Sequence, residues 1–86
     1  AVLADVTARE AATVPADGGH TIWALVRHMT GWADEVHQRL RGRTAQEPDG
    51  GDWPAPAGTT EADWQADIAR LFAVHRALAD AVRQAL

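Results

Sequence analysis

The chain is 86 residues long, 47% hydrophobic, with a net charge of −4 and neither Cys nor Tyr. Its length suits one small domain, and 8 Arg against 12 acidic residues excludes the basic surface of a nucleic-acid binder. Without Cys there are no disulfides and no thiolate metal ligands, and no apolar run approaches the roughly 20 residues that cross a bilayer. No export-type signal opens the sequence, so a cytoplasmic setting without a membrane partner is expected. A domain this size buries only about 60–65% of its unfolded surface, so it usually needs a staple, a metal or a partner.

In chain order, Thr7-Ala-Arg-Glu10 fits a capping box and starts a short helix over residues 8–13. Pro15 to Gly19 is a turn cluster. A helical pattern then occupies 21–41, with Thr21 as its cap and Gly42 as its stop. Residues 42–59 hold three Pro and four Gly and form an irregular loop. Thr60 caps a last helix over 61–86, with Glu61 and Asp63 against the positive end of its dipole. No segment alternates as a strand does, so the fold class is all-α.

At about 100° per residue, Ile22, Leu25, Val26, Met29, Trp32, Ala33, Val36 and Leu40 share one arc of the middle helix. Trp64, Ile68, Leu71, Phe72, His75, Leu78, Ala79, Val82 and Leu86 share one on the last. Two such helices joined by a loop read as neighbours in an antiparallel helical bundle. Their apolar faces exceed what they can hide from each other. The bundle is expected to be incomplete as a monomer and completed by oligomerisation, as a homodimer or with a partner helix.

The chemistry-bearing residues are few. Ser is absent, which excludes a seryl nucleophile. The acidic pairs Asp34–Glu35 and Asp63–Asp67 fall on polar faces and read as solvated charge. No His pair has close ligand spacing. His28 sits at the edge of the apolar arc, where boundary packing and a ligand role both stay open. His75 falls near the centre of the last helix's arc and reads first as a core histidine. His37 reads as a solvated flank and His20 as a loop contact. Trp32 and Trp64 read as core, and Trp53 as a plug at the end of the bundle.

The segment His20-Thr-Ile-Trp-Ala-Leu-Val-Arg-His28-Met-Thr-Gly-Trp32 resembles the second helix of the DinB/YfiT-like superfamily. The resemblance continues through Arg39-Leu-Arg-Gly42, Gly51-Asp-Trp-Pro54, Trp64 and Ala73-Val-His-Arg-Ala-Leu-Ala79, and so covers the middle of the family's fold. It implies a four-helix bundle binding a divalent metal, Zn or Ni, through three His. Position His28 would supply one ligand; a His-x-x-x-His pair on the family's fourth helix would supply two. His75 and Trp32 would lie near that pocket, and the substrate would be a small thiol or another small molecule, as in thiol-dependent transferases and hydrolases. No His-x-x-x-His occurs here, and the last helix of the family is expected to be lacking. The metal site is therefore expected to be incomplete, with no catalytic residue assigned. The alternative is a non-catalytic interaction module that dimerises through its apolar groove.

Overall fold

A computed structural model describes residues 2–86; Ala1, the first residue of the expected domain, lies outside them. Regular structure in that span is entirely helical: a 3-10 turn at Val2–Asp5, α1 at Ala8–Ala11, α2 at Ile22–Leu40 and α3 at Glu61–Ala85. A threonine opens each α-helix. Thr7 accepts from the Glu10 N–H while the Glu10 carboxylate accepts from the Thr7 N–H. Thr60 and Asp63 repeat that reciprocal pair on α3, whereas Thr21 accepts from the Ala24 N–H alone. Helix α1 is a single turn, shorter than the pattern predicts, because the Pro15–Gly18 turn pulls the chain away. Beyond α2, Gly42 takes φ +100°, a left-handed conformation that a side chain would strain.

The all-helical class expected from the sequence holds, but the two long helices run parallel rather than antiparallel. Trp23 Nε1 donates to Asp67 at 2.7 Å, and Arg27, one turn later, meets the same carboxylate at 3.1 Å. Thr21 and Thr59, each at the start of its helix, line one cleft at a common end. The connection explains this arrangement. The chain after α2 turns back along that helix: Gln46 is bonded to Glu35, Pro48 packs toward Gly31, and Asp52 reaches His28. It thereby delivers α3 to the end where α2 began. A short hairpin loop would have given the opposite direction.

Trp23, Val26, Trp64, Ile68 and Leu71 form the core with Ala8 and Ala11 of α1, flanked by Leu3 and Val6. The Trp23 and Trp64 rings lie 5.3 Å apart and tilted, a favoured aromatic geometry. Helix α1 is tied across them: Trp64 Nε1 donates to the Val6 carbonyl at 2.7 Å, and the Ala8 N–H donates to Glu61 at 2.8 Å. Three neighbourhoods divide the circumference of α2. Trp23, Val26, Arg27 and Thr30 face α3, while His28, Gly31, Trp32 and Glu35 face the returning loop. The sector between them carries Ile22, Leu25, Met29, Val36 and Leu40, which sequence patterning assigns to the core but which are 39–48% exposed.

Because α2 and α3 are parallel, helical periodicity opens that stripe to the same side as Phe72, His75, Ala79 and Val82 of α3. Helix α1 covers the beginning of the shared groove and leaves the rest open. His75 is accordingly exposed, which corrects its reading as a core histidine.

Candidate functional site

The returning loop is pinned before it reaches any candidate ligand. Glu35, read from the sequence as solvated, is 1% exposed beneath residues 43–49. Its carboxylate accepts from Arg39 Nε at 2.9 Å and the Gln46 N–H at 3.2 Å, with Arg43 also at 3.2 Å. The Arg39 hydrogen bond holds the Glu35 carboxyl below its ordinary range, although desolvation pushes the other way. Arg43 extends the network to Asp49 at 2.7 Å, lowering that carboxyl through its hydrogen bond. At Gly31 a Cβ would stand 3.4 Å from Pro48, so the glycine lets the loop lie close against α2.

That register carries Asp52 and Trp53 onto His28. His28 Nδ1 lies 2.6 Å from the Asp52 carbonyl oxygen and 3.2 Å from its carboxylate. A carbonyl only accepts, so Nδ1 carries the proton and Nε2 is left with its lone pair. Trp32 Nε1 donates to the same Asp52 carboxylate at 2.6 Å. Trp53 lies between two imidazoles, stacked on His28 at 3.9 Å and on His20 at 3.5 Å. Rather than plugging the end of the bundle, this indole is 40% exposed on the flank of α2.

Structure and sequence therefore group the candidates differently. His28 and Trp32 come together through Asp52. His75, the other expected pocket residue, makes no hydrogen bond or ring stack with them among the described residues. His37, read from the sequence as a solvated flank, is instead half-buried, on the side of α2 that carries Val26 and Thr30. Asp52 is the residue that sequence reasoning missed; its only signal was proximity to Trp53, which does not reveal where the loop docks. His20, read as a loop contact, stacks on Trp53 of that loop.

A backbone acceptor on Nδ1 orients the His28 ring and selects its tautomer. It does not make a metal centre. No group of three or more His, Asp or Glu side chains among the described residues is placed to hold an ion. His20 is separated from His28 by the Trp53 ring, and the Asp52 oxygen is occupied by the Trp32 N–H. The residues present do not fit a three-ligand divalent site. Nor is any helix among the described residues long and apolar enough to cross a membrane.

The family model described as the DinB superfamily matches residues 1–86. No curated protein and no solved structure matches significantly.

Proposed function

Since the chain belongs to the DinB superfamily, we propose that it acts as an association module of that family, pairing with a second copy through the apolar groove shared by α2 and α3. The supporting observation is the row of half-exposed Ile22, Leu25, Met29, Val36 and Leu40 beside Phe72 and Val82. Removing the rest of each side chain from water gains about 1 kcal/mol, and both copies contribute. Association itself takes back several kcal/mol or more, which leaves a dimer of roughly micromolar affinity, about 8 kcal/mol. Two facing pairs of parallel helices would supply the four helices that such a fold uses. Size-exclusion chromatography with light scattering across about 1–100 μM should show a concentration-dependent dimer. Met29→Glu and Val36→Glu should each shift it to monomer. A folded monomer at every concentration would overturn the proposal.

A second reading, a metal-dependent enzyme acting on a small thiol or related substrate, is favoured by the fixed Nδ1–H of His28. His28 would then contribute one Zn or Ni ligand, the others coming from outside the donors described. Elemental analysis decides it: stoichiometric Zn or Ni abolished by His28→Ala supports this reading. Metal-free protein after purification with either ion supplied counts against it.

A further inference from the structure

On the face opposite the apolar groove, α2, α3 and the returning loop enclose a cleft of about 250 Å³. Its lining is mixed. Pro48 and Pro54 supply apolar surface and Gly31 a shallow floor, while five charged side chains surround them: Arg27, Asp34, Asp49, Asp67 and Arg70. Most of this charge is already matched. Asp67 takes the Arg27 guanidinium and the Trp23 indole N–H, and Asp49 takes Arg43. What is left is one residue of each sign on facing walls, Asp34 on α2 and Arg70 on α3. They form no ion pair with each other or with another described residue.

We propose that this cleft binds a small zwitterion of the amino-acid class, its carboxylate on Arg70 and its ammonium on Asp34. A free carboxylate alone would leave Asp34 facing it with like charge, and a free amine would meet Arg70 in the same way. A molecule carrying both groups satisfies both walls. The volume suits an amino acid or a very short peptide and is below that of a drug-sized site. Nothing in this assignment depends on the groove on the other face or on a metal at His28.

The test is an amide-detected NMR titration of the whole chain with glycine, L-alanine and glycylglycine, with propionate and ethylamine as single-charge controls. Saturable shifts confined to residues 27–34, 48–54 and 67–70 with at least one zwitterion support the site. Arg70→Gln and Asp34→Asn should each weaken that binding at least about tenfold while the circular dichroism spectrum stays unchanged. Three results would overturn it: no saturable shift up to about 50 mM, equal binding by the variants, or single-charge controls that bind as well as the zwitterions.

Discussion

At the residue scale, the most consequential side chain is a carboxylate that helical patterning places on the polar side. Glu35 is sealed because Arg39, Arg43 and the Gln46 N–H close over it. Capping threonines are legible in the sequence since their partners lie three residues away; the shield over Glu35 is not, since it comes from a loop that must first dock. Glu10, Glu35, Asp49 and Glu61 all have carboxyls lowered by hydrogen bonds made in the folded chain. A lowered folded-state value means stability that is complete above the unfolded value and lost as pH falls through the folded one. The melting temperature should therefore change little between neutral pH and about 5, then fall below the ordinary Glu value of 4.5. Glu35→Gln should melt lower at pH 7 and show a shallower decline in acid. Thermal unfolding followed by circular dichroism over that range checks both.

At the element scale, α1 has one turn and could not persist alone. It survives by covering Trp64, whose indole is fully buried and bonded to the Val6 carbonyl. Trp64→Ala should remove about 3–5 kcal/mol in urea unfolding, a large share of what a small domain possesses. Trp64→Phe, which keeps most of the packing but loses the hydrogen bond, should be milder and should release α1 first, as amide exchange at Ala8 and Ala11 would record. Helical periodicity identified which residues are apolar on α2 but not which of them would be covered. Trp23, left out of the predicted arc, is buried, whereas Met29 and Leu40 within it are each 48% exposed. The arc is centred on the groove, and α3 packs to one side of it. Nothing local to α2 encodes that offset.

At the scale of the whole molecule, the family and the all-helical class were legible because both rest on ordered local segments. The parallel direction of α2 and α3 was not, because it depends on a loop whose contacts with α2 reach as far as 24 residues along the sequence. The candidate site was legible to the same extent. His28 stands out in its own helix, but its orientation depends on Asp52.

That returning loop also constrains the order in which the chain can assemble. Direct bonds between α2 and α3 join residues 40 and 44 apart, whereas those between the loop and α2 close far shorter circuits. Closing the shorter circuits first would lower the entropy lost when α3 arrives, and in that order the loop would serve as a guide rail laid down before the core. Glu35, Gln46 and Asp52 would then govern how fast the protein folds, and Trp64 how slowly it comes apart.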